Sequence, residues 1–324
     1  MLILSNLMDY IYLILGIILL LFGGNQLVKS GSSIAEHFNI PPFIVGVTIV
    51  SMGTSAPELF VSLNAVLAGA PDIAIGNVVG SNIANIGLVL ALTAVIINIP
   101  VNKSTIRFDY PVLLIASIVF AVFMSDLIIN RLEGFIMLLL MAIYLMLIIK
   151  MNYKKKTETK TKIVEVTTSE KRQKNPWISV LLVLVSCGGL LLGSNILVEG
   201  AGNIAKGLGV SERIISITVI AFGTSIPELA TSIIAAFKKQ IEIGLGNIIG
   251  SNIFNILVIA GISSLVTPLQ VNPSTMNFDI YFLLGFVVLT GLFFLPLRKP
   301  QITRWKGFVY LLAYFGYYVV LFYN

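Results

Sequence analysis

The stretch GTSAPELFVS from Gly53 to Ser62 returns as GTSIPELATS from Gly223 to Ser232, and each copy sets a glutamate, Glu58 or Glu228, inside an apolar run. A charged side chain at mid-bilayer depth costs about 2.5 to 3.5 kcal/mol on insertion scales, so two at matched points imply that the charges are used. On a helix, Thr54 and Ser55 stand four and three residues before Glu58, which gathers a carboxylate and two hydroxyls on one side. Pro57 has no N–H to give to the carbonyl of Gly53 and should kink or break the helix, freeing backbone oxygens. Thr224, Ser225, Pro227 and Glu228 repeat the pattern. Carboxylate, hydroxyl and carbonyl oxygens together suit a hard cation such as calcium or sodium.

The next apolar run of each half adds a polar stripe. Asn77, Ser81 and Asn85 follow one another every four residues, and Asn247, Ser251 and Asn255 do the same. Beside the glutamates, Ser81, Asn85, Ser251 and Asn255 read as ligands. Asn77, Asn82, Asn247 and Asn252 fit equally well as hydrogen-bonding glue between helices, and the neighbouring glycines fit close helix contact.

The elements that must position these groups are membrane spans. With 57% hydrophobic and only 11% charged residues, and a mean hydropathy of +0.96, the chain carries far more apolar surface than a soluble domain needs. Apolar runs fall near residues 10–28, 42–67, 73–98, 110–126, 132–150, 177–198, 214–237, 241–267, 279–297 and 305–323, each about the length that crosses a bilayer as a helix. No Lys or Arg precedes the first run, so it reads as a retained span and not a cleaved signal. Cys187 and His37 are the single residues of their kinds, which excludes an intrachain disulfide and disfavours a zinc cluster or a histidine proton relay.

If the N-terminus lies outside, 18 of the 21 Lys and Arg fall in inner segments, nine of them between Lys150 and Lys174. The positive-inside rule therefore predicts both termini outside and a cytoplasmic linker. The net charge of +6 arises largely there and gives no reason to expect nucleic acid as a partner.

One offset of 170 residues aligns the halves without a gap, from Gly23 on Gly193 through GNVVGSNIANI at Gly76 on GNIIGSNIFNI at Gly246 to Asp109 on Asp279. Five runs per half is an odd number, so the second half must enter the membrane from the opposite side. The expected fold is all-α and integral to the membrane: ten transmembrane helices in two inverted-topology repeats of five. The first repeat would cover residues 1–150, the basic connection 151–175 and the second repeat 176–324.

At these residues the sequence resembles the calcium/cation antiporter superfamily, in particular its prokaryotic sodium/calcium exchanger branch. The paired GTSxPE and GSNxxN motifs are highly specific, and the resemblance spans both halves. It implies a cluster of cation sites on the second, third, seventh and eighth spans, with ligands Thr54, Ser55, Glu58, Ser81 and Asn85 from one repeat and Thr224, Ser225, Glu228, Ser251 and Asn255 from the other. Carbonyls of Ser51 and Ala221 would join them, and the first and sixth spans would slide as a gating pair. It further implies a multi-pass protein of the cell membrane, not an enzyme, that exports calcium on the sodium gradient by alternating access. Calcium and sodium are then the transported ions; no cofactor and no protein partner are expected, and the protein would act as a monomer in the lipid bilayer. One position departs from the pattern. Family members of known structure carry an aspartate where this chain has Asn255, which removes a negative charge and leaves calcium/proton or other cation/proton exchange open as the alternative. A passive cation channel is a third reading, and an intramembrane hydrolase is disfavoured because no histidine base stands near the serines.

Overall fold

The computed structural model describes residues 2–158, 176–208, 221–295 and 300–323. The connection from 159 to 175, the start of the seventh apolar run, and Arg213, Arg298 and Lys299 lie outside the described residues. The helices are α1 (Leu2–Phe38), α2 (Pro42–Thr54), α3 (Ala56–Leu67), α4 (Pro71–Ile96), α5 (Thr105–Phe123), α6 (Arg131–Glu158), α7 (Pro176–Gly207), α8 (Ala221–Thr224), α9 (Ile226–Phe237), α10 (Ile241–Val266), α11 (Thr275–Phe293) and α12 (Arg304–Tyr323). Among the described residues, seven helices are long and apolar enough to cross a membrane, or eight if the bent pair α2 and α3 counts as one. The protein is thus an all-α, multi-pass membrane protein.

The breaks fall where the prolines dictate. Pro57 and Pro227 occupy the first turn of α3 and α9, where a missing N–H costs nothing, and the helix ahead of each stops at a serine. Ser55 (φ −86°, ψ 8°) and Ser225 (φ −88°, ψ 0°) take nearly the same bridging conformation, and α2 meets α3 at 44°. A second shared irregularity is a wide π turn that begins at Asn85 within α4 and at Asn255 within α10. Such turns are uncommon and concentrate at functional sites.

Packing divides the helices into two groups. The larger apolar core is built mainly from α4, α5, α6, α10, α11 and α12. A smaller one joins α1 and α7, which lie along each other, with Val45 and Val50 of α2 and Ile243 of α10. The crossing of α1 and α7 depends on Gly16 and Gly193. A Cβ on Gly16 would stand 2.6 Å from Leu197 Cβ, and one on Gly193 2.9 Å from Leu19 Cβ. Close backbone contact of this kind is a main source of attraction between helices in lipid.

Short strands and arginines tie the larger core together across the two halves. Strand β1 (Ile99–Pro100) pairs with β4 (Gln301–Ile302), and β2 (Ile128–Ile129) with β3 (Leu269–Gln270), both antiparallel. Arg131, at the start of α6, donates to the carbonyls of Leu265 (3.2 Å) and Val266 (3.3 Å) at the end of α10. Arg304, at the start of α12, donates to the Ile96 carbonyl (3.2 Å) at the end of α4. The last carbonyls of a helix lack intrahelical donors, so each arginine caps a helix of the other half. Two phenol–carboxyl pairs also correspond: Tyr144 donates to Asp109 at 3.0 Å, buried, and Tyr317 to Asp279 at 2.9 Å, part-buried.

Candidate functional site

Both GTSxPE breaks face the interior, and their glutamates are fully buried. A side-chain hydrogen bond between halves links the first break to the second: Ser55 Oγ donates to Glu228 Oε1 at 2.9 Å. Ser251 on α10 donates to the same oxygen at a longer 3.4 Å. Thr54 Oγ1 donates to Asn247 Oδ1 at 2.9 Å and lies 3.5 Å from Ser251 Oγ. Where α4 and α10 meet, Asn255 Nδ2 donates to Ser81 Oγ at 3.0 Å. Glu58 stands three residues beyond Ser55, so the break that donates to Glu228 also carries the first glutamate. Thr54, Ser55, Glu58, Ser81, Glu228, Ser251 and Asn255 are therefore one cluster fed by four helical segments.

Asn85 and Ser225 are buried as expected, and Thr224 is half-buried at the end of α8. Six buried oxygens of the candidate residues have no hydrogen-bond partner: both of Glu58, Oε2 of Glu228, Oγ of Ser225, and Oδ1 of Asn85 and Asn255. An unsatisfied polar atom in a low-dielectric interior is expensive, and carboxylate, hydroxyl and amide oxygens are the donor types that a calcium ion takes. Among the described residues, no group of three or more His, Cys, Asp and Glu gathers at any one place, this cluster included, so its acidic groups are the two glutamates. A cavity of about 610 Å³ opens between Phe43, Asn102, Asp109, Met151 and Glu242, and none of the ten candidate residues lines it.

Of the four amides left open by the sequence, two bridge helices and two do not. Asn77 donates to the Glu58 carbonyl (3.0 Å) and to Ser62 Oγ (2.9 Å), while Asn247 accepts from Thr54 and donates to Ser232 (3.3 Å). Asn82 and Asn252 donate back to Val78 and Ile248 of their own helices.

Two backbone expectations need correction. Pro227 does deprive the Gly223 carbonyl of its helical donor, but that oxygen is not free, because Ser194 Oγ of α7 donates to it. The Ser51 carbonyl, expected among the ligands, accepts the Ser55 N–H at 2.9 Å and Thr54 Oγ1 at 3.3 Å, so helix geometry has already engaged it. Reasoning from sequence missed Ser194, Arg131 and Arg304. A readable signal existed for the arginines: RLEG at Arg131 and RWKG at Arg304 correspond once three residues are allowed as an insertion after Asp279.

Buried paired glutamates at broken helices, inside an all-α membrane protein, define a transporter-like architecture and not an enzyme's. The chain belongs to the sodium/calcium exchanger protein family, whose profile matches residues 8–150 and 178–323. It is a member of the calcium/cation antiporter superfamily, a family of cation antiporters. It is 37% identical over 314 residues to the putative antiporter CaxA of Alkalimonas amylolytica, covering 96% of this chain and 98% of that one. It is 30% identical over 347 residues to the sodium/calcium exchanger MaX1 of Methanosarcina acetivorans, covering 97% and 99%. Among solved structures, the sodium-calcium exchanger NCX_Mj soaked without sodium or calcium superposes with a TM-score of 0.81 at 34% identity, over 97% of this chain and 99% of that one.

Proposed function

We propose that the chain exchanges sodium for calcium, exporting calcium on the inward sodium gradient. Ten spans would form two inverted repeats of five, residues 1–150 and 176–324, with both termini outside and the 151–175 connection cytoplasmic in the cell membrane of a monomer. The matched strand pairs, arginine caps and phenol–carboxyl pairs support that arrangement. The reading rests above all on the hydrogen bond from Ser55 of the first half to Glu228 of the second, which brings both glutamates to one interior site.

The ligand set follows from the chemistry of the groups. Glu58 and Glu228 are the anionic ligands, and Thr54, Ser55, Ser81, Asn85, Thr224, Ser225, Ser251 and Asn255 supply neutral oxygens or orient the carboxylates. Two carboxylates balance one calcium ion or two sodium ions equally well. Holding both cargoes at once would leave surplus charge in a low-dielectric site, so the ions exclude one another and exchange. Glu58 and Glu228 must be desolvated and shielded from water whenever neither access path is open, and the complete burial of both fits such an occluded site.

Asn255 specifically favours one second reading. Without a third carboxylate the site has less capacity for extra sodium, and cation/proton exchange through Glu58 or Glu228 remains the competing mechanism. The deciding experiment is uptake of labelled calcium into proteoliposomes under imposed sodium, proton and potassium gradients. Uphill calcium uptake driven by a sodium gradient is expected. Uptake that follows only the pH gradient would replace the sodium reading with the proton one, and calcium that merely runs downhill would indicate a channel.

A further inference from the structure

The Gly223 carbonyl is the oxygen that Pro227 strips of its helical partner, and in lipid such a group must find another donor. It finds Ser194 Oγ on α7, and Ser194 is 2% exposed. This bond sits at a point of very close approach. A Cβ on Gly223 would fall 2.1 Å from Val198 Cγ2, one turn beyond Ser194. The same helix presses on the first break as well, since a Cβ on Gly53 would fall 2.2 Å from Cys187 Sγ. From Cys187 to Val198 is about 16 Å of helix, so α7 reaches both breaks.

The first half has no equivalent bond. At the matching position α1 carries Gly24, which has no hydroxyl, and a Cβ there would meet Ile234 Cδ1 at 2.8 Å. The GTSxPE breaks are alike in backbone, yet among the described residues only the second has its proline-freed carbonyl bonded to a side chain of α7.

We propose that Ser194 is a positioning residue that latches α7 to the second broken helix and so biases the transporter toward one of its two access states. The proposal rests on the alternating-access reading given above. If the repeats exchange conformations during transport, the opposite state would call for the same bond from α1, where Gly24 cannot make it. The latch therefore stabilises one state and not its mirror image, with the carbonyl of Gly223 as its strike plate.

Three variants test this: Ser194→Ala and Ser194→Gly remove the hydroxyl, the second copying Gly24, and Ser194→Thr keeps it. Two readouts are needed. The first is the reaction rate of N-ethylmaleimide with Cys187, which needs no cysteine-free background because Cys187 is the single cysteine. The second is the apparent KM for calcium measured separately from the two faces of proteoliposomes. Loss of one neutral hydrogen bond should raise Cys187 reactivity and shift the two KM values in opposite directions by about 2- to 10-fold, with a smaller change in maximal velocity. Ser194→Thr should retain wild-type values. Unchanged reactivity and KM values in both hydroxyl-free variants would overturn the proposal, as would equal shifts on both faces or a threonine variant that behaves like alanine. If the wild-type protein moves no calcium against a gradient, the exchange reading fails by itself, and the Cys187 rates still decide whether Ser194 holds α7.

Discussion

Glu58 and Glu228 occupy matched positions in matched motifs, but their surroundings differ. Glu228 Oε1 accepts from Ser55 and Ser251, whereas neither oxygen of Glu58 has a hydrogen-bond partner. The asparagines repeat the contrast: Asn255 donates to Ser81, while Asn85 leaves both its amide nitrogen and its oxygen unpaired. In both cases the better-satisfied group belongs to the second half and has a partner in the first, Ser55 or Ser81. A sequence duplication thus supplies two copies of each ligand without making their roles equal at any moment. The hydrogen bonds record an asymmetry between the halves that the duplicated sequence does not carry.

The largest expected effect would erase the contrast altogether. Glu58→Gln and Glu228→Gln should each lower gradient-driven calcium flux by more than about 100-fold, the equivalent of about 2.7 kcal/mol, because one carboxylate cannot balance a divalent ion. Near wild-type flux in both variants would remove the site. In cation-free buffer the two should nevertheless differ, with Glu58→Gln raising the melting temperature more, since it neutralises the buried charge that has no hydrogen-bond partner. Equal melting temperatures would argue that the glutamates are equivalent after all.

A smaller contrast should appear between the serines. Ser55→Ala takes away a donor to a buried carboxylate and should weaken calcium binding by about 10-fold or more. Ser225→Ala removes a hydroxyl that bonds nothing and should cost less, about 3-fold, through its loss as an ion ligand. A reversed order in isothermal titration would show that the first-half serine does not hold Glu228 in the binding state. The smallest effects should come from the arginine caps, where the halves behave alike. Arg131→Gln and Arg304→Gln should each cost about 1 kcal/mol of stability, by similar amounts, with calcium affinity unchanged. Strongly unequal losses, read from thermal melts, would mean that the asymmetry reaches beyond the site into the scaffold.

The sequence made the candidate glutamates and their burial legible because charge inside an apolar run is so costly that it stands out, and because two copies at one spacing leave little room for accident. Pro57 and Pro227 likewise announced the helix breaks. What spacing could not convey was which half would satisfy which group. That depends on the relative position of α2, α4, α9 and α10, a tertiary quantity that the internal symmetry leaves undetermined. The fate of the freed carbonyl was hidden for a similar reason. Pro227 predicts an orphaned Gly223 oxygen, but the donor, Ser194, lies 29 residues earlier on a helix whose register is set by glycine contacts. The arginine caps escaped notice because the gapless alignment ends at Asp279.

The strand pairs carry a consequence for how the chain is made. Ile99 finds its partner only at Ile302, and Ile129 only at Leu269, so the early loops wait for segments that leave the ribosome much later. Such distant closure is entropically slow, and the first half must stay inserted and soluble in lipid meanwhile. Biogenesis of this protein should therefore end in late docking, and a nascent chain halted before Leu269 should remain open to proteases at both unpaired loops, one halted between Gln270 and Gln301 only at the loop of Ile99.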